Sequence, residues 1–210
     1  MAFILLILNL LILNSSFAEP YENQKNITFT STKGNIFHLN WEDPTQISSS
    51  DLEEMRTLST STFLKSYRLS HTRDDQSDAD LEFFLADYFD HSIQPKLKND
   101  KELIFLSAKL EDKWVGFAMF ERIDAETIYM AELAISEDFW RQGLGRRMTY
   151  SIIEKDPAIQ KIVLLTEWKN LPAQKFYESI GFTPVDYTHT GYSPDDYRAY
   201  EHVFLISPEE

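Results

Sequence analysis

The sequence predicts an α/β domain, a mixed central sheet of about six to seven strands flanked by helices on both faces. One strand-like run and two helical patterns come first, three strand-like runs then follow in succession between residues 102 and 135, and helices and strands succeed one another from there to residue 206. This mixed order fits a single sheet covered by helices on both faces. The 210 residues, 43% of them hydrophobic, supply one such domain with a real core, and too few residues for two.

Residues 1–18 are almost uninterruptedly apolar from Phe3 to Leu13, with small Ser16 and Ala18 placed for a cut after Ala18. They read as a signal peptide, which implies a periplasmic or secreted protein; a cytoplasmic protein with a silent leader is the alternative. The run is too short for a stable membrane span. Residues 19–34 are polar and read as a linker or loose first strand, and residues 35–206 as the domain.

Asn35–Leu39 alternates as a strand does. Ser50 and Glu53 fit a capping box for a helix carrying Leu52, Met55, Leu58 and Phe63. Residues 72–80 read as a polar loop. Ala79–Ile93 reads as a second helix, with Leu81, Phe84, Leu85, Tyr88 and Phe89 at helical spacing. Glu102–Leu110 and Trp114–Ile123 are apolar runs around Glu111-Asp112-Lys113, the pattern of a hairpin. Thr127–Ile135 is the next strand. Gly143–Glu154 places Leu144, Met148 and Ile152 on one helical face. Lys161–Thr166 is a buried-type strand, and Leu171–Ile180 a helix with Pro172 in its first turn and Gly181 as its stop. Phe182–Tyr187 and Arg198–Ile206 close the sheet. The loop between them, Tyr192 to Tyr197, either lines a ligand pocket or covers the sheet.

Composition excludes several chemistries. Without cysteine there is no disulfide, thiolate metal site or cysteine nucleophile. The five histidines share no metal-ligand spacing, so no metal is expected. A net charge of −14 with no long basic stripe argues against nucleic acid. The charge either favours a cationic partner or only maintains solubility.

Arg141-Gln142-Gly143-Leu144-Gly145-Arg146 follows a strand and opens a helix. Free N–H groups at a helix start, with two glycines that permit close approach, suit a diphosphate. The nucleoside-triphosphate loop is absent. The dinucleotide fingerprint fails because Met148 stands at its third glycine. Downstream, Asn170, Ala173, Phe176, Tyr177, Gly181 and Phe182 are spaced N-x-x-A-x-x-F-Y-x-x-x-G-F.

With these two blocks the chain resembles the GNAT superfamily of N-acetyltransferases, over residues 35–206 and most specifically over 127–187. One position departs: Trp140 stands where the family usually has glutamine or arginine. The resemblance implies a GNAT fold in which two parallel strands, 127–135 and 161–166, splay into an acyl-CoA wedge. Leu133, Ala134 and Ile135 would meet the pantetheine arm, and Arg141, Gln142, Gly143, Leu144, Gly145 and Arg146 the diphosphate. Asn170 would bond the pantetheine arm or cap the helix that carries Ala173 and Phe176. Tyr177 would be the general acid for the leaving thiolate; otherwise it is a core tyrosine. Glu132 is the candidate base, the alternative being a solvated or ion-paired strand residue. The implied reaction is acetyl transfer from acetyl-CoA to a primary amine, on a small molecule or a protein, by direct attack. The alternative is a CoA-binding or regulatory module without turnover. A homodimer is compatible with the resemblance.

Overall fold

The computed structural model describes residues 26–71, 73–186 and 196–204. The leader at 1–18, the start of the following segment, and the loop residues Tyr192–Asp195 lie outside them.

One sheet of eight strands runs through the domain, one or two more than the sequence suggests. The strands are β1 (Asn26–Thr30), β2 (Ile36–Glu42), β3 (Ile104–Leu110), β4 (Lys113–Arg122), β5 (Thr127–Ile135), β6 (Lys161–Glu167), β7 (Thr183–Val185) and β8 (Tyr197–Val203). Their spatial order is β1-β2-β3-β4-β5-β6-β8-β7. All neighbours are antiparallel except β5 and β6, the pair joined through a helix. The additional strand is β1, which lies within the segment read as a linker or loose first strand. It pairs with β2 along its whole length and buries Ile27.

Among the described residues five helices cover the sheet: α1 (Ser49–Leu69), α2 (Asp78–Tyr88), α3 (Gln94–Asn99), α4 (Leu144–Lys155) and α5 (Leu171–Ser179). Ser48, not Ser50, caps α1, its hydroxyl accepting from the Asp51 N–H at 3.1 Å. Ser77 caps α2 in the same way through Asp80. The second predicted helix is longer than expected and uneven. After Tyr88 it passes through a π turn, Phe89–Ile93, into α3. Phe89, Ile93 and Leu97 stay buried along it.

The core has two halves, one on each sheet face. α1 and the α2–α3 segment pack Leu52, Met55, Phe89 and Ile93 on Phe105, Phe117, Met119 and Ala134. α4 packs Leu144, Met148 and Ile152 on Phe37, Phe120, Ile128 and Ile162. Strand β4 is buried on both faces over Trp114–Phe120, which explains its run of apolar residues without alternation. No helix among the described residues is long and apolar enough to cross a membrane.

Candidate active site

The site begins where β5 and β6 part. They pair only at Thr127–Tyr129 with Lys161–Val163, although β5 continues to Ile135 and β6 to Glu167. Beyond Tyr129 the two strands leave a gap. The Ser136 N–H donates to the Val115 carbonyl, so β4 takes every second main-chain unit of β5 and is paired with Ala134 through Phe117. The amides of Leu133 and Ile135 therefore face the gap, and Ala134 offers it none. The Ile135 carbonyl is already used, accepting from Trp140 Nε1 at 2.6 Å and Thr62 Oγ1 at 3.2 Å. Trp140, the departure from the family pattern, thus closes the end of β5.

Helix α1 bridges the gap on one face. Thr62 bonds the end of β5, Ser66 Oγ donates to Asn170 Oδ1 at 3.0 Å, and Tyr67 Oη donates to Glu167 of β6 at 3.0 Å. Asn170 is the N-cap of α5, accepting from the Ala173 N–H at 3.2 Å, and the structure gives it the capping geometry.

Beyond the gap, α4 opens on Gly143 with φ +87°, a conformation that favours glycine, and no side chain caps the helix. Among the described residues no acceptor meets the backbone N–H groups of Gln142 to Arg146. Gly145 stands against Phe176 and Ile135; a Cβ there would lie 2.9 Å from Phe176 Cζ. Arg141 and Arg146 are exposed beside this helix start, whereas Arg147 is tied to Glu154. Leu144 and Gln142 turn their side chains inward. Gln142 is 2% exposed; its Oε1 accepts from Ser31 Oγ at 3.1 Å and Asn35 Nδ2 at 2.9 Å, and its Nε2 donates to the Asp138 carbonyl at 2.8 Å. It anchors the β1–β2 hairpin under the turn. Gln142→Ala should therefore lower the unfolding free energy by about 2 kcal/mol, read from urea melts, because buried partners lose their bonds. An unchanged midpoint would contradict this anchoring.

On the opposite face of β5, Glu132 is buried at 9% exposure. The register slips here: Met119 pairs with Glu132 and Phe120 with Met130, leaving Ala131 as an extra residue. This bulge shifts the strand's phase, so Ala131 and Glu132 both line the cleft between β4–β5 and α2–α3. The cleft encloses about 680 Å³, with Tyr88, Ser92, Lys96, Glu121 and Tyr129 among its walls. Tyr88 Oη donates to Glu132 Oε1 at 2.6 Å. Burial pushes the Glu132 carboxyl up to about 7; Glu121 adds to the rise, while the Tyr88 bond and Lys96 oppose it. A carboxyl so placed accepts or releases a proton near neutral pH.

From the β6 side, α5 supplies Phe176, Tyr177 and Ala173. The Tyr177 ring lies 5.1 Å from Phe176, 5.7 Å from Phe182 and 6.3 Å from Tyr200. Its hydroxyl has no hydrogen-bond partner among the described residues. Burial first, and then the Glu132 charge, push its pKa upward, so the phenol keeps its proton. Glu132 and Tyr177 are 45 positions apart in sequence and electrostatically coupled across the gap. The sequence did not single out Tyr88, Thr62 or Ser66. Tyr88 lies at the helical spacing of core residues, and α1 shows its small polar stripe only once its partner surface is known. Among the described residues no group of three or more His, Asp or Glu side chains could hold a metal.

A split parallel strand pair with an uncapped, glycine-punctuated helix start beyond it defines the class of this α/β protein. The family model for the acetyltransferase (GNAT) family matches residues 53–182. The chain belongs to the GNAT acetyltransferase family. Among solved structures, the PaiA N-acetyltransferase of Thermoplasma acidophilum in complex with coenzyme A superposes with a TM-score of 0.61 at 15% identity, covering 79% of this chain and 99% of that one. The GNAT domain of S. lividans PAT gives 0.57 at 13% identity, covering 88% and 100%. An acetyltransferase from Streptococcus agalactiae 2603 gives 0.56 at 18% identity, covering 80% and 98%. These likenesses establish the shared fold. No curated protein matches the chain.

Proposed function

We propose that the protein is an N-acetyltransferase that moves an acetyl group from acetyl-CoA to a primary amine by direct attack. The gap between β5 and β6 leading to the open start of α4 carries this reading. An extended arm with two amides can pair with Leu133 and the Ile135 N–H as a substitute strand. A diphosphate can take the N–H groups of Gln142 to Arg146, with Arg141 and Arg146 adding positive charge. Asn170 then serves by holding the start of α5, with Ala173 and Phe176 shaping the wall.

The acceptor approaches through the cleft on the Glu132 face. Its amine nitrogen attacks the thioester carbonyl carbon, an N–C bond forms and the C–S bond breaks. Glu132 takes the amine proton, and the Tyr177 hydroxyl gives its proton to the departing sulfur. A net charge of −14 supports an acceptor that arrives as a cation; it loses one proton to solvent before attack, and Glu132 takes the second as the amide forms.

Thiol release from acetyl-CoA across a panel of primary amines tests the reading, alongside calorimetric titration with acetyl-CoA. Heat of binding with no thiol release from any amine would favour a CoA-binding module instead; no heat at all would remove both. Tyr177→Phe should lower kcat about 10-fold with acetyl-CoA affinity unchanged, less than the roughly 100-fold or more usual for proton transfer because a thiolate leaves readily. An unaltered kcat would remove Tyr177 from the proton path.

A further inference from the structure

The contact between Tyr88 and Glu132 has no part in the steps just described. We propose that Tyr88 is a positioning residue, which fixes one oxygen of the Glu132 carboxylate and favours its ionised form, leaving the other oxygen free for the acceptor's proton. This rests on Glu132 being the base.

The path of the helix supports it. Tyr88, Ser92 and Lys96 recur every four residues along the cleft wall. In an unbroken α-helix each such step turns the side chain about 40° further round, so Lys96 would sit about 80° away from Tyr88. The π turn at Phe89–Ile93 has more residues per turn and absorbs that drift. It keeps the Tyr88 hydroxyl and the Lys96 ammonium on the same wall, facing β5.

The basic groups around the cleft are engaged with other partners. Lys96 is bound to Glu121 at 2.5 Å, and Arg122 is paired with Asp156. His91 is exposed and paired with Asp87 at 3.1 Å. Tyr129 of β5 lines the cleft, and Tyr177 of α5 makes no hydrogen bond to Glu132. Among the described residues, Tyr88 reaches the carboxylate directly with its 2.6 Å bond. A buried carboxylate needs such a donor to stay charged, and a phenol can bond one oxygen without neutralising it.

The test is a carboxyl-carbon NMR titration of the full chain labelled at glutamate, with the Glu132 signal assigned by its loss in Glu132→Gln. Tyr88→Phe should move the Glu132 midpoint up by about one pH unit, the loss expected for one charge-assisted hydrogen bond. A tyrosine that only fills space would alter the melting temperature and leave the midpoint in place, and that result would overturn the proposal. Full thiol release by Glu132→Gln would instead sink the base assignment, whatever Tyr88→Phe does to the titration. Tyr88→Leu is a second variant with the same expected shift, should the phenylalanine ring attract a water into the site.

Discussion

Glutamine at position 132 should slow amine acetylation at pH 8 by about 100-fold or more while making the protein more stable. Under the proposed reaction, the loss follows from removing the general base that takes the acceptor's proton. The gain follows from burial. The folded carboxyl titrates near 7 instead of its usual 4.5, chiefly through desolvation. Between those values the folded protein holds a proton that the unfolded chain has released, so stability falls as pH rises through that window. Above pH 7 the penalty is complete, and two to three pH units correspond to about 3 kcal/mol. Below 4.5 both states are protonated and the residue contributes nothing. Glutamine cannot ionise. Urea melts of Glu132→Gln should therefore match the parent at pH 4.5 and exceed it by about 3 kcal/mol at pH 8. If the pH dependence of stability is the same in both proteins, the carboxylate is not held in a costly site. Under the proposed reaction, the trade between stability and activity becomes measurable at one residue.

Much of this arrangement was legible in the sequence because its determinants are local. The hairpin of β3 and β4, strand β5 and helix α4 follow from contiguous patterns, and the two motif blocks fall on the helix starts of α4 and α5. What stayed hidden depends on contacts between distant segments. β1 alternates as a strand does over Asn26–Thr30 but lies in a polar segment that the sequence leaves between linker and loose first strand; Ile27 and Phe29 find the Phe37 side of β2, with the Phe29 and Phe37 rings 6.2 Å apart. The π turn leaves no mark in a 3.6-residue periodicity, since Phe89, Ile93 and Leu97 recur at helical spacing. Tyr88 looked like one more apolar helix residue; its polar end has meaning only when β5 delivers Glu132 to it. The bulge at Ala131 is equally silent, yet it decides which face Glu132 occupies. Asn170 left two readings open, and the 3.2 Å bond to the Ala173 N–H gives the cap.

Valine at position 145 should abolish measurable acetyl-CoA binding while leaving a folded protein. Gly145 lies in the first turn of α4, and a side chain there would point between the end of β5 and α5. A Cβ atom alone would stand 2.9 Å from Phe176 Cζ and 3.2 Å from Ile135 Cδ1. Phe176 would have to turn aside, and the two methyl groups of valine would reach further across the mouth of the gap. Overpacking of this kind costs about 1–3 kcal/mol, so the melting temperature falls while the cooperative transition survives. The larger effect is on the ligand. In the proposed complex the diphosphate comes within hydrogen-bond range of the amides that follow Gln142, and the arm behind it passes Ile135 to reach Leu133. A displaced Phe176 or a shifted helix start separates those two contacts, and losing even two charge-assisted bonds lowers affinity by about 100-fold or more. Gly145→Ala, with one carbon to accommodate, should fall between the parent and Gly145→Val. Calorimetric titration of all three with acetyl-CoA gives the order. Equal affinity across the series would mean that the ligand does not pass between Ile135 and Phe176, and the wedge at β5 and β6 would lose its role as the acyl-CoA site.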